Sequence, residues 1–334
     1  MIEIHSCPST LSDGFDTYSP AALKKLFGGM RVSPLLDFSI DSFRWNGEIL
    51  RAVNRISVSG AQEKFPAVID NGKIRLAADG ERATHILKPA PWDETISSRK
   101  QIPANENLTM QIAAQIYGIR TAANGLCFSP SGEVIYITRR FDLCPDGSRL
   151  GQEDFASLTE KEETTGGVNY KYDGCYDDIA TAIRRYIPAW PVAMEEFLRL
   201  VTFNYIYGNG DAHLKNFSIL KSGDDYLLSP AYDLLNTAIH LDGDDFALSG
   251  GLSGTLKKSD TYEKTGHPCR ADFESFGKNI GLNDRRIAAV LNPFTSLPEA
   301  LQNLIANSYL NEKMKRSYLR VVKTRTERFV RSAD

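Results

Sequence analysis

Apolar and polar positions along this chain alternate at strand spacing in its first third and recur at helix spacing afterwards. Ser19-Pro20 ahead of Ala-Ala-Leu-Lys-Lys-Leu-Phe, with Gly28 behind, predicts a short helix with a hydroxyl cap, a proline in the first turn and a glycine stop. Stretches over 55–59, 64–70, 73–78 and 84–88 read as strands, the middle two joined by Asn71-Gly72, the strongest two-residue hairpin signal. Residues 103–117 take up helical periodicity and stop at Gly118, and 120–127 and 133–141 then pair as strands across Ser129-Pro-Ser-Gly132. Helical spacing dominates from there on, over 176–186, 190–207, 271–280, 298–306 and 311–330. The expected fold class is α+β, with a small strand-rich N-lobe over 1–142 and a larger helical C-lobe over 143–334.

A chain of 334 residues with 42% hydrophobic content is long enough to bury a core in each lobe. The net charge of −3 provides no general attraction to nucleic acid, so protein or small-molecule partners are expected. Cys7, Cys127, Cys144, Cys175 and Cys269 stand far apart with no C-x-x-C pair, the usage of reduced thiols in a cytoplasm. His267 and Cys269 lack the second pair that would complete a zinc tetrahedron, so any metal is expected on oxygen ligands. Neither a secretory leader nor an apolar run near the ~20 residues of a membrane span is visible, and a cytosolic location is the expectation.

One segment carries most of the chemistry. Asp211-Ala-His213-Leu-Lys215-Asn216, followed by Ala-Tyr232-Asp233, sets an acid, an amide and a second acid at the spacing that phosphoryl transfer to a hydroxyl requires. In that chemistry the first Asp accepts the hydroxyl proton, the Asn holds a Mg2+, and the second Asp holds the Mg2+ that bridges the β and γ phosphates of ATP. Singly, each is also an ordinary loop former. Upstream, Lys88 ends the apolar run Thr84-His-Ile-Leu-Lys and is placed like the strand lysine that contacts the α and β phosphates. Glu106 on the next helix is its expected partner, although Asp93 and Glu94 lie nearer in sequence. Between two strands, Ile56 to Lys64 holds Gly60 among small hydroxyl neighbours; its amides could cradle an anion with Lys64 adding charge, or it is a plain turn. His213 reads as a general base, a scaffold residue or a neutral hydrogen-bond donor, with scaffold favoured because Asp211 already supplies a carboxylate. Lys215 either neutralises the transferring group or is a solvated loop lysine. The final helix has a basic face from Lys313 to Arg331 that suits solvent or partner docking.

Taken together, Ser57-Val-Ser-Gly-Ala-Gln-Glu-Lys64, Thr84-His-Ile-Leu-Lys88-Pro, Asn105-Glu106, Arg140-Phe-Asp142, Asn209-Gly-Asp211-Ala-His-Leu-Lys-Asn216-Phe-Ser and Tyr232-Asp233 resemble the HipA family of toxin serine/threonine kinases in order and spacing, from about Arg55 onward. The resemblance implies a two-lobed protein-kinase-like fold that uses ATP and Mg2+. It implies Asp211 as catalytic base, Asn216 and Asp233 as Mg2+ ligands, and Lys88 with the loop Ser59, Gly60, Ala61, Gln62, Glu63 and Lys64 on the phosphates. Arg139, Arg140 and Phe141 would form the hinge beside adenine, and His213 and Tyr232 would line the nucleotide site. Family members phosphorylate a serine matching Ser57, and Ser59 stands where the long forms have an apolar residue, so both are expected autophosphorylation sites that lower activity. Long HipA proteins carry a small N-terminal subdomain ahead of this loop. The present chain resembles the shortened HipT form, in which a separately encoded small protein resembling that subdomain accompanies the kinase and a helix-turn-helix antitoxin. The implied protein substrate is an aminoacyl-tRNA synthetase, the tryptophanyl enzyme favoured, with nucleic acid reached only through the antitoxin. A small-molecule phosphotransferase of the aminoglycoside or choline kinase kind shares the acid and amide spacing. A catalytically silent scaffold in a repressor complex is the alternative from a different class.

Overall fold

The computed structural model describes residues 3–40, 63–144 and 146–331. The expected strand over 55–59 and Ser57, Ser59, Gly60, Ala61 and Gln62 of the expected phosphate loop lie outside the described residues. The chain divides into two units, Met1–Ile116 with Ala122–Phe141 and Ala300–Arg316, and Tyr117–Thr121 with Asp142–Glu299 and Ser317–Asp334. A single cut after residue 142 therefore misassigns the 300–316 stretch. It returns to the first unit because Tyr309 OH donates to the Ser6 carbonyl at 2.6 Å and Asn307 Nδ2 to the Leu11 carbonyl at 3.1 Å.

The first unit is built on a five-stranded antiparallel sheet of β1 (Phe65–Asp70), β2 (Lys73–Leu76), β3 (His85–Lys88), β4 (Asn124–Phe128) and β5 (Val134–Arg139), in the order β2-β1-β3-β5-β4. Asn71 and Gly72 turn β1 into β2 with φ of 48° and 75°, the mirror-image turn that matches the strands' twist. Pairing fixes the faces. Leu87 lies opposite Phe65 and Ile137, and these three pack with Leu26 and Phe27 of α1 (Pro20–Phe27) in one core. Lys88 lies opposite Tyr136 on the other face, toward α2 (Ile102–Gln115), whose residues are buried nearly all round. Helix α1 ends as expected, its Ser19 hydroxyl accepting from Ala22 N at 3.2 Å and Gly28 closing it at φ 65°. Between β3 and α1, His85 Nε2 donates to the Leu26 carbonyl at 2.9 Å while Thr84 Oγ1 donates to Nδ1 at 2.8 Å. Burial pushes this imidazole down to about 4, so it is neutral near pH 7.

The second unit joins a three-stranded antiparallel sheet, β6 (Gly151–Asp154), β7 (Ser218–Ser222) and β8 (Asp225–Leu228), to α3 (Tyr176–Tyr186), α4 (Trp190–Ile206), α5 (Asp260–Thr265), α6 (Arg270–Asn279) and α7 (Asp284–Leu291). Two further helices follow, α8 (Glu299–Asn307) and α9 (Glu312–Val330), the latter contributing its first residues to one unit and the rest to the other. The inner half of α4, with Phe197, Leu198, Val201 and Phe203 all at most 1% exposed, is the centre of this core. The expected strand over 120–127 starts later, at Asn124. Its first residues belong instead to the second unit, where Ala231 N donates to the Arg120 carbonyl at 2.7 Å and Thr121 bridges Ala231. Among the described residues no helix is long and apolar enough to cross a membrane.

Candidate active site

Where α4 ends, Gly208 turns the chain at φ 66°; a Cβ there would stand 2.9 Å from Asn236 Oδ1 and 3.0 Å from Val321, so the turn needs glycine. The following loop is held by side chains bonding its backbone. Thr237 Oγ1 donates to the Gly208 carbonyl at 3.0 Å and accepts from Gly210 N at 2.8 Å. Tyr176 OH donates to the Ala212 carbonyl at 3.0 Å. The Asp211 carbonyl then accepts from His213 N at 2.7 Å and from Asn216 Nδ2 at 2.9 Å. Acid and amide are thus fastened together, and the amide's use of its nitrogen presents its oxygen as the free end for a cation. Tyr232 OH donates to the Lys215 carbonyl at 2.8 Å, which ties Asp233 to the same loop. Asp233 itself sits at φ 54°, a left-handed conformation that costs a non-glycine residue energy and that Asp and Asn tolerate best.

Asp211 is buried, and its Oδ1 accepts from Tyr172 OH at 2.7 Å. Burial and then the Asp211 charge raise the Tyr172 phenol well above its ordinary value, so it stays protonated and donates. The Tyr172 ring meets His213 edge-on, with centroids 5.1 Å apart, and Lys215 Nζ donates to Tyr170 OH at 3.2 Å. Tyr170 and Tyr172 come from the polar turn Gly167–Tyr172, which has no apolar period and was not singled out from the sequence. A pair of tyrosines flanking Lys171 in an otherwise polar loop was the available signal. His213 is buried; desolvation and then the Lys171 charge push it down to about 3, partly opposed by Asp233. An imidazole with so little proton affinity is a poor base near neutrality, which leaves the scaffold and neutral-donor roles.

In the first unit Lys88 Nζ lies 2.6 Å from Glu106 Oε1, with the side chains 4% and 3% exposed, and 5.2 Å from the Tyr136 ring centroid. The nearer acids are engaged elsewhere, Asp93 accepting from Thr95 Oγ1 at 2.6 Å and Glu94 pairing with Arg99 at 3.3 Å. Of the expected hinge, Arg139 is exposed and reaches the Lys25 carbonyl at the end of α1 at 3.4 Å, Arg140 N donates to the Thr84 carbonyl at 2.9 Å, and Phe141 is half-buried. Glu63 and Lys64 are half-buried just ahead of β1.

A metal's fit can be tested on the donors present. Among the described residues no group of three or more His, Cys, Asp or Glu stands together. Asn216 and Asp233 offer two hard oxygen donors on segments either side of the β7–β8 hairpin that the Tyr232–Lys215 bond joins, a donor set that suits Mg2+, an ion that takes one or two protein ligands and completes its shell with phosphate and water.

Residues 56–301 match the family model of the HipA-like C-terminal domain. The chain belongs to this HipA family. Y4mE of Sinorhizobium fredii (strain NBRC 101917 / NGR234), a kinase candidate by its name, is 32% identical over 269 residues, covering 75% of this chain and 56% of Y4mE. The serine/threonine-protein kinase toxin HipA of Shewanella oneidensis MR-1 is 24% identical over 223 residues, 60% of this chain and 48% of that toxin. The chain thus spans about half the length of these curated relatives. The solved structure of the Shewanella oneidensis HipA, HipB and operator DNA complex superposes with a TM-score of 0.62 at 21% identity, over 85% of this chain and 67% of that one. Strand-rich and helical parts together make the kinase-like fold of the HipA family.

Proposed function

We propose that this HipA-family chain is the toxin of a toxin-antitoxin system and transfers the γ-phosphoryl group of ATP to a serine or threonine hydroxyl of a protein. The observation that carries the reading is the bond from Asn216 to the Asp211 carbonyl on a loop to which Asp233 is tied. Asp211, oriented by Tyr172, accepts the proton of the attacking hydroxyl. Lys215, held by Tyr170, adds positive charge near the transferred group. Lys88, fixed by Glu106 in the first unit, supplies a cation for the α and β phosphates. Mg2+, when held by the oxygens of Asn216 and Asp233, offsets charge on the phosphates. His213 and Tyr232 act as structural members beside the nucleotide, and Arg139 to Phe141 provide the adenine-side hinge.

The resemblance extends the proposal to partners. HipA in the matched solved complex is bound to HipB and operator DNA, which supports a helix-turn-helix antitoxin here. A small protein resembling the HipA N-terminal subdomain is the second proposed partner, and an aminoacyl-tRNA synthetase, the tryptophanyl enzyme favoured, is the proposed substrate. Ser57 and Ser59 are the proposed autophosphorylation sites. A phosphate there adds about −1.5 to −2 charge where a triphosphate must be received, which opposes ATP binding.

Incubation with Mg2+, γ-labelled ATP and cell lysate tests the activity. Label should enter a protein band, and Asp211→Asn should slow its appearance by roughly 10² to 10⁴. Label confined to small metabolites would assign the chain to the aminoglycoside or choline kinase type, and no transfer under any metal condition would refute both readings.

A further inference from the structure

Beside the catalytic loop, with which it shares Asn216, the second unit contains a cavity of about 120 Å³ to which the proposed chemistry assigns no ligand. Its floor is apolar, formed by Ile119, Phe197, Leu200, Phe217, Leu228 and Ala231. Its rim is charged. Arg120, Glu196 and Arg199 all line it, two guanidinium groups against one carboxylate. Distances show which cation is matched: Arg120 lies 3.5 Å from Glu196 and donates to the Leu228 carbonyl at 2.6 Å. Arg199 is half-buried and has no ion pair or hydrogen bond among the described residues. Arg199 and Leu200 lie three and four residues after Glu196 on α4, the spacings that share a face, so charge and apolar floor meet along one side of the helix. Arg199 is thus the cation of this lining left without a partner among the described residues, and an anion seated in the cavity would meet it.

We propose that this cavity binds a small amphipathic organic anion, an apolar body of about one ring seated on the floor with its carboxylate on Arg199. Volume sets the size, since an apolar cavity of about 150 Å³ accepts benzene and little more. Planar, bidentate pairing with a carboxylate is what a guanidinium does better than any other cation, which sets the head group. Asn216 lines the same cavity and donates to the Asp211 carbonyl at 2.9 Å, so occupancy is felt by the loop that carries Asp211.

The test uses the full chain and phenylacetate as probe, with uncharged phenylacetamide and cationic benzylamine as controls, read by titration calorimetry and by amide hydrogen exchange. For about ten non-hydrogen atoms a dissociation constant on the order of 1 mM is expected. Phenylacetamide should bind at least tenfold more weakly and benzylamine not at all. Arg199→Gln should weaken phenylacetate at least tenfold, to the level of phenylacetamide, and Arg199→Lys should retain part of the affinity. Leu200→Trp, which fills the floor, should abolish binding of both while the circular dichroism spectrum is kept. Protection from exchange should appear over 118–120 and 214–218. Equal affinity for acid and amide, an indifferent Arg199→Gln variant, protection elsewhere, or no saturable binding up to about 10 mM would each overturn the proposal. None of these readouts needs phosphoryl transfer, so a failed kinase assay would leave the site standing.

Discussion

Replacing Glu106 by glutamine leaves the Lys88 ammonium in the interior of the first unit without the carboxylate now 2.6 Å away. Both side chains are nearly inaccessible, at 4% and 3%, so water cannot take the carboxylate's place. Removing one member of a buried pair costs about 3 to 5 kcal/mol, because the remaining charge stays desolvated. An exposed pair such as Lys73 with Asp37, at 68% and 62%, is worth about 0 to 1 kcal/mol. Against a whole-protein stability of about 5 to 15 kcal/mol the buried loss is large. Urea unfolding followed by circular dichroism, with amide exchange read in β3 and α2, should show that loss for Glu106→Gln and a similar one for Lys88→Met. The double variant Lys88→Met with Glu106→Leu replaces the pair by apolar groups of similar bulk, and should return to within about 1 kcal/mol of the parent. If Lys88 has the proposed role on the nucleotide phosphates, the folded double variant should nevertheless transfer no phosphate. Single variants that each cost under about 1 kcal/mol and simply add in the double would refute the reasoning.

Acid should destabilise the protein through His85. Its folded pKa of about 4 lies below the unfolded value, so below pH ~6.5 the unfolded chain binds a proton that the folded one refuses, and stability falls as pH drops toward 4. The loss is about 2 kcal/mol at pH 5, and His85→Gln, which can still donate to the Leu26 carbonyl, should flatten that part of a melting-temperature profile. Tyr172→Phe removes the donor to Asp211 and should lower kcat about tenfold with little change in KM for ATP; a raised KM at constant kcat would show that the phenol binds nucleotide instead. Gly28 and Gly208 have nearly the same φ, 65° and 66°, yet Ala should cost about 1 kcal/mol at Gly28 and clearly more at Gly208 in thermal melts, because only the second Cβ runs into Asn236 and Val321.

Features governed by near neighbours were legible along the chain. The Ser19 cap, the Asn71-Gly72 turn, the Gly28 stop and the helices Tyr176–Tyr186 and Trp190–Ile206 depend on residues within a few positions, and each stands close to where its pattern put it. That Asp211 and Asn216 stand together was legible for the same reason, since they are five apart and one tight turn joins them through a 2.9 Å bond. Weakly patterned elements escaped. The strand Gly151–Asp154 is polar and half or fully exposed, and owes its conformation to pairing with Ser218–Lys221. Helix Asp260–Thr265 is short and polar, held by the Ser259 cap. Glu106 was the acid expected for Lys88 and is the one that meets it, but tertiary structure alone decided that 300–316 packs with Ser6 and Leu11, that Tyr172 reaches Asp211 across 39 positions of sequence, and that Arg199 is left over an apolar floor. Short-range order follows from torsion angles and adjacent hydrogen bonds, which the residue types dictate locally. Pairing between distant charges follows from which surfaces are buried together, and that depends on every contact in the unit at once.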